Sequence, residues 1–237
     1  MPRWSTSQPL HRVHKCHIVR QFEVFNLIAN VEQANLYNVY NDHAYIGTIA
    51  EQDGLGRHIM RQFTRLIRPF VIDMRLHDQH TRLSRPFSVL HSKVHVQQPS
   101  SMGKVHSEWH IVRRKYDLFE YHDNAYRQFG RIDAPFWSWD FVVRNEYDDA
   151  MCYINRQKRE ALRELFTDQG WYEITFQDPK IKAPLTATQR IVALSCATSI
   201  DYDYFSGHST SMLRNIEIRQ ERDYPHYVHH EMPSHIK

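Results

Sequence analysis

From Gln21 to Gln177 apolar and polar residues mostly alternate. On one run Leu90, Val94 and Val96 alternate with His91, Lys93 and His95. From Val105 to Ile111, the apolar Val105, Trp109 and Ile111 interleave with His106, Glu108 and His110. From Phe136 to Val143, Trp137, Trp139, Phe141 and Val143 fall on one face, opposite Ser138 and Asp140. Tyr45–Ile49 and Trp171–Phe176 show the same pattern over shorter spans. Successive side chains of a strand point to opposite faces, so this period of two predicts sheet with one face buried and one wet. Turn-forming residues separate the runs at Asn41-Asp42, Asp53-Gly54, Pro99–Gly103, Asp148-Asp149 and Gln169-Gly170.

The period changes in the stretch Thr186–Phe205. Ile191–Ile200 carries no charge, and its apolar residues point round the full circumference of a helix. A helix that is apolar all round is enclosed by protein or lipid. The uncharged run is about half the length of a membrane span, which favours a core helix over a tail anchor. Ala193, Ser195, Cys196, Ala197 and Ser199 keep the cylinder thin. Gln189 and Arg190 close one end, and Asp201 and Asp203 the other. Acids at a helix C-terminus oppose the macrodipole, so a cationic partner, such as an arginine, is expected there. Many strands followed by one such helix suggest a closed antiparallel barrel wide enough to hold it. A sandwich with the helix laid on top would require a polar helix face, and there is none. Residues 208–237 are polar with weak periodicity and read as an extension, with a short helix around Met212–Gln220.

The chain has 237 residues, 41% of them hydrophobic and 13% aromatic, enough for a real core. A net charge of only +3 does not suit a dedicated nucleic-acid coat, and no nucleic-acid partner is expected. Cys16, Cys152 and Cys196 form no CxxC pair, which points to a reducing compartment. Residues 1–18 form a basic tail with Arg3, Arg12 and Lys15, and no acid precedes Glu23. That bias resembles a mitochondrial presequence, although Pro9 weakens the amphipathic helix such a signal needs.

Two basic clusters are candidate binding surfaces. In Gly54–Phe70, helical spacing puts Arg57, Arg61, Arg65 and Arg68 on one side, opposite Leu55, Ile59, Phe63 and Leu66. Such a face suits an anionic lipid surface, and the plainer reading is a set of solvated arginines. Arg113, Arg114 and Lys115 form the second cluster, with Arg114 facing away from its neighbours if the segment is a strand. The pairs His91/His95 and His106/His110 have helical ligand spacing but sit on expected strands, about 13 Å apart and too far to share an ion. His226, His229 and His230 read as solvated tail. No GxSxG, HExxH or P-loop is present, and a thiol inside an enclosed helix, Cys196, is inert. Trp137 and Trp139 read as core or barrel wall.

An ordered set of blocks over residues 19–208 resembles the phospholipid scramblase family, nearest its fungal mitochondrial branch. The blocks are Val31–Tyr37, Ile46-Gly47 with Ala50–Arg57, Arg61–Phe63, Arg68–Phe70, Arg85–Ser88, Trp109 with Arg113–Phe119, Asp133–Phe141, Asn155-Arg156, Arg163–Gly170 and Gln189-Arg190 through Ser199–Ser206. The resemblance implies a tubby-like closed antiparallel barrel of about twelve strands spanning residues 19–207 around a core helix at 186–205. It also implies phospholipid scrambling, a transbilayer movement that breaks no covalent bond. Animal members carry a calcium loop before the last helix. Here the matching stretch from Asp168 to Asp178 puts Gly170, Tyr172 and Pro179 where ligands three, five and twelve belong. Asp168 and Asp178 are therefore weak Ca2+ candidates. The family Phe after Arg156 is replaced by Lys158, and a later Gly-Phe pair by Glu160-Ala161, which puts that connection in doubt.

The expectation is a protein peripherally bound to a mitochondrial membrane through anionic phospholipids, with Arg57, Arg61, Arg65, Arg68, Arg113, Arg114 and Lys115 as contacts. Scrambling would then need the helix to leave the barrel, an oligomer, or a partner. The alternative is a non-catalytic tubby-like adaptor or transcriptional module binding phosphoinositide, protein or nucleic acid.

Overall fold

The structure, a computed structural model, describes residues 10–21, 35–41, 44–52, 69–77, 79–88, 91–99, 102–157 and 171–205. The alternating pattern becomes twelve strands. They are β1 (Lys15–Gln21), β2 (Leu36–Asn41), β3 (Ala44–Glu51), β4 (Phe70–Leu76), β5 (Gln79–Arg85), β6 (His91–Gln97), β7 (Met102–Glu108), β8 (Arg113–His122), β9 (Ala125–Pro135), β10 (Asp140–Arg144), β11 (Ala150–Arg156) and β12 (Trp171–Thr175). A 3-10 turn, Leu10–Arg12, precedes them. Each strand pairs antiparallel with the next. β1 closes the cylinder on β12, with Cys16 opposite Ile174 and Ile18 opposite Tyr172. Closure leaves no sheet edge and creates an inside.

That inside holds the helix α1 (Ala187–Tyr204), buried on every side from Gln189 to Asp203. Thr186 caps it through a reciprocal box. The Gln189 amide N–H donates to Thr186 Oγ1 at 3.3 Å, and the Thr186 N–H donates to Gln189 Oε1 at 3.0 Å. Ser195, Thr198 and Ser199 donate to carbonyls one turn back, at 2.7, 3.0 and 2.9 Å, so none of these three helix hydroxyls is orphaned. Inward residues of the staves, among them Val39, Ile72, Leu83, Val105, Leu118 and Ile154, complete the core. Gly103 on β7 makes room for the rod, since a Cβ there would stand 2.4 Å from Val192 Cγ2. The core-helix and barrel expectations both hold.

The barrel begins earlier than residue 19. β1 starts at Lys15, Leu10 and Val13 lie in the core, and Arg190 Nη1 donates to both their carbonyls, at 2.8 and 2.7 Å.

Two expected strands are shorter than their alternation suggests. β7 stops at Glu108, leaving Trp109 and Ile111 in an exposed connection where the Val112 N–H donates to His110 Nδ1 at 3.3 Å. The Phe136–Val143 run splits in the same way. Ser138 N–H donates to Pro135 O at 2.9 Å, closing a turn, and β10 starts only at Asp140. Trp137 is therefore outside the wall, 82% exposed. In both places alternation continues through a turn that reverses the chain, which periodicity alone cannot register.

Candidate functional site at the helix C-terminal end

The meander places the ends of β1, β3, β5, β7, β9 and β11 at the same end of the barrel as the C-terminus of α1. Three layers of side chains are stacked there.

The deepest layer receives the two helix acids. Asp201 accepts from the hydroxyls of Tyr37 at 2.6 Å and Tyr172 at 2.9 Å. Asp203 is bonded to Arg85 Nη1 and accepts from Tyr116 at 2.8 Å. Tyr202 donates to Glu51 at 3.1 Å, and Glu51 also accepts from the Asn35 side chain at 3.0 Å. The expected cationic partner is thus Arg85 at one acid, while tyrosine hydroxyls serve the other. Burial, followed by the adjacent carboxylates, pushes the Tyr37, Tyr116 and Tyr172 phenols well above their ordinary range.

Above that ring lie two guanidinium groups among aromatic rings. Arg114 projects inward from β8 and is 5% exposed. Its guanidinium carbon lies 4.1 Å from the centre of the Tyr204 ring, 4.9 Å from Phe205 and 5.1 Å from Phe136. Arg156, at the end of β11, lies 4.1 Å from Phe205 and 4.6 Å from Trp139 and reaches the Tyr172 hydroxyl. Aromatic faces attract cations but do not neutralise them. Arg114 Nη1 donates to the Ser138 carbonyl at 3.0 Å. Neither arginine has an ion pair among the described residues, and the Nε atom of each is buried without a hydrogen-bond partner. Burial weakens the hold of Arg114 on its proton, Tyr204, Tyr116 and Tyr172 partly oppose this, and the charge of Arg156 adds to it slightly.

The outermost layer is an apolar rim. Trp109 (57% exposed), Ile111 (74%) and Val112 (62%) stand on the β7–β8 connection, and Trp137 on the β9–β10 turn. The Phe136 N–H donates to Val112 O at 3.0 Å and ties the two connections side by side.

Of the arginine and lysine residues expected to touch lipid, Arg57, Arg61, Arg65 and Arg68 lie outside the described residues, in the connection between β3 and β4. Arg113 and Lys115 face outward, Arg113 paired with Asp133 and Lys115 3.9 Å from Glu108. Arg114 lies opposite these two, as strand alternation required, and is buried inside the barrel instead of on its surface. Asp168 lies outside the described residues. Asp178 accepts from the Lys180 N–H at 2.8 Å, and β12 runs through the middle of the stretch between them. Among the described residues no three His, Cys, Asp or Glu side chains converge as a metal site. Sequence reasoning did not single out Arg156, Trp139, Tyr204 and Phe205 as a site. They come from three distant segments, and only barrel closure brings them to Arg114. The legible signal was the alternation that sets Arg114 opposite Arg113 and Lys115.

A seam between β9 and β10, where only Arg144 and Arg131 pair, opens an outer cleft of about 400 Å³. Its three arginines already meet carboxylates: Arg113 on Asp133, and Arg131 and Arg144 on Asp148 at 3.7 and 3.6 Å. It is self-neutralised.

A closed antiparallel meander threaded by its own C-terminal helix, with a cationic, aromatic mouth, defines a class of helix-filled barrels. The family profile described as Scramblase matches residues 4–207, and the chain belongs to that family. It is 34% identical to the Altered inheritance rate of mitochondria protein 25 of Saccharomyces cerevisiae, over 81% of this chain and 70% of that one. It is 30% identical to a phospholipid scramblase family protein of Schizosaccharomyces pombe, over 87% of this chain and 63% of that one. No solved structure matches the chain significantly.

Proposed function

We propose that this protein is a peripheral phospholipid-binding member of the scramblase family that meets anionic lipid at a mitochondrial membrane and promotes transbilayer lipid movement there. The observation that carries this reading is the barrel end, where Trp109, Ile111, Val112 and Trp137 stand exposed next to Arg113 and Lys115. Aromatic and aliphatic side chains on loop tips beside cations match the chemistry of the headgroup boundary. The name of the budding-yeast relative supports the mitochondrial setting. No described helix is long and apolar enough to cross a membrane. Moving α1 into lipid would strip Asp201 and Asp203 of their partners, at a cost of several kcal/mol per ion. The helix therefore stays in its barrel, and lipid movement is promoted from the surface or by an assembly of barrels.

Reconstitution tests this directly. Purified protein is expected to co-sediment with phosphatidylcholine vesicles containing cardiolipin and much less with phosphatidylcholine alone, and salt should weaken the binding. Reversal of Arg57, Arg61, Arg65 and Arg68 to Glu should reduce it more than tenfold, at about 1 kcal/mol per basic residue. A fluorescent-lipid flip assay on the same vesicles, with and without Ca2+, separates binding from transbilayer movement. Equal binding to both vesicle types, or none, would overturn the reading.

A further inference from the structure

Arg114 and Arg156 form an unusual pair. Removing a guanidinium from water costs several kcal/mol unless an anion or a full set of hydrogen bonds replaces the solvent. Three other buried or half-buried arginines of this barrel meet that requirement. Arg85 has Asp203, Arg20 has Asn35, and Arg190 has the carbonyls of Leu10, Val13 and Leu185. Arg114 and Arg156 instead share one aromatic ring, Phe205, and each leaves its Nε unused. Two like charges in one aromatic-walled mouth repel each other, and the carboxylates of the layer below already accept from Arg85, Tyr116, Tyr37 and Tyr172. Among the described residues no carboxylate offsets this pair.

The geometry points to a binding site for the phosphate group of a membrane phospholipid, held by Arg114 and Arg156 at the barrel mouth. This rests on the lipid reading above and deepens it by naming the residues that select the headgroup. Arginine forks match phosphate oxygens in geometry and charge. The aromatic walls formed by Phe136, Trp139, Tyr204 and Phe205 keep water out and strengthen each bond. The apolar rim gives the lipid source: Trp109, Ile111, Val112 and Trp137 border the same mouth, so a barrel resting on a bilayer by this end presents the site to headgroups, with acyl chains remaining in the membrane. A free soluble phosphate would have no use for the rim.

Two measurements separate the site from the surface. The first is calorimetric titration of the full chain with a short-chain, monomeric phosphatidic acid, with inorganic phosphate as the comparison. The short-chain lipid should bind, and inorganic phosphate should bind at least about tenfold more weakly. Arg114→Gln and Arg156→Gln should each weaken the lipid by about tenfold or more, the loss expected for one charge-assisted contact. The second is the thermal midpoint of the same variants. Removing one of two like charges that no described carboxylate offsets should leave the unliganded midpoint unchanged or raise it. A purely structural arginine would lower it. Trp137→Ser, on an 82% exposed side chain, should keep the short-chain affinity and lose vesicle binding. Unchanged titrations in both arginine variants would overturn the site even where vesicle binding persists. Equal affinity for inorganic phosphate would overturn the lipid source. Should Arg114→Gln fail to fold, Arg156→Gln, at the partly exposed end of β11, decides alone.

Discussion

Arg85 and Asp203 meet with side chains only 1% exposed, and Asp203 also holds Tyr116. Removing one member strands the other without water, so Arg85→Met should cost about 3–5 kcal/mol in denaturant unfolding. Arg85→Met with Asp203→Leu should cost less than the two single changes added together. The buried proton donors make a second residue-level prediction. Burial raises the Cys152 thiol from 9.0 to about 12, and raises the Tyr37, Tyr116 and Tyr172 phenols from 10.0. Each raised group favours the folded state while protonated, so its contribution is complete below the unfolded value and is lost as pH rises towards the folded one. The denaturation midpoint should therefore fall progressively above pH 9, and Cys152→Ala should remove the thiol share of that slope. A flat profile above that pH would show that these groups ionise without unfolding.

At the scale of elements, the fit of α1 depends on small residues on both sides of the contact. A Cβ at position 103 would lie 2.4 Å from Val192 Cγ2 and 3.0 Å from the Phe119 carbonyl. Gly103→Ala should cost about 1–3 kcal/mol by overpacking, and Val192→Ala should recover part of that loss when the two are combined. Additive losses in chemical denaturation would mean that β7 moves away from the helix instead. Helix bounds were legible because the run is apolar on all sides and is closed by Gln189 and Arg190 at one end and Asp201 and Asp203 at the other. Strand interiors were legible through alternation. The ends of β7 and β10 were not, because Trp109, Ile111 and Trp137 continue the apolar beat beyond the point where the chain turns. Those three residues form most of the rim, so the error in strand length and the missed apolar rim have one cause: residues read as wall are at the mouth.

For the molecule as a whole, closure converts local patterns into a site that no local pattern contains. That Arg114 faces away from Arg113 and Lys115 was legible in the alternation of β8; that its side is the inner one was not. That Arg156, Trp139 and Phe205 would face it depends on β11 and the end of α1 arriving at the same opening, which needs the order of staves round the barrel. The same closure predicts how the protein behaves on a membrane. Cys16, Cys152 and Cys196 are all buried, and Cys196 sits on α1. In a variant carrying Cys16→Ala and Cys152→Ala, Cys196 should stay unreactive to a membrane-permeant maleimide when the protein is bound to cardiolipin vesicles. Rapid labelling on binding would show that the rod leaves its sheath.

At the opposite opening, Arg190 grips the carbonyls of Leu10 and Val13 from inside the barrel. That latch limits how the leading segment can be trimmed. A cut after residue 18 would sever β1 midway, unzip its seam with β12 at Cys16 and Ile18, and leave the Arg190 guanidinium with the Leu185 carbonyl alone of its three. A cylinder closed in this way includes Arg12 and Lys15, because Arg12 lies between the two carbonyls that Arg190 holds and Lys15 opens the first stave.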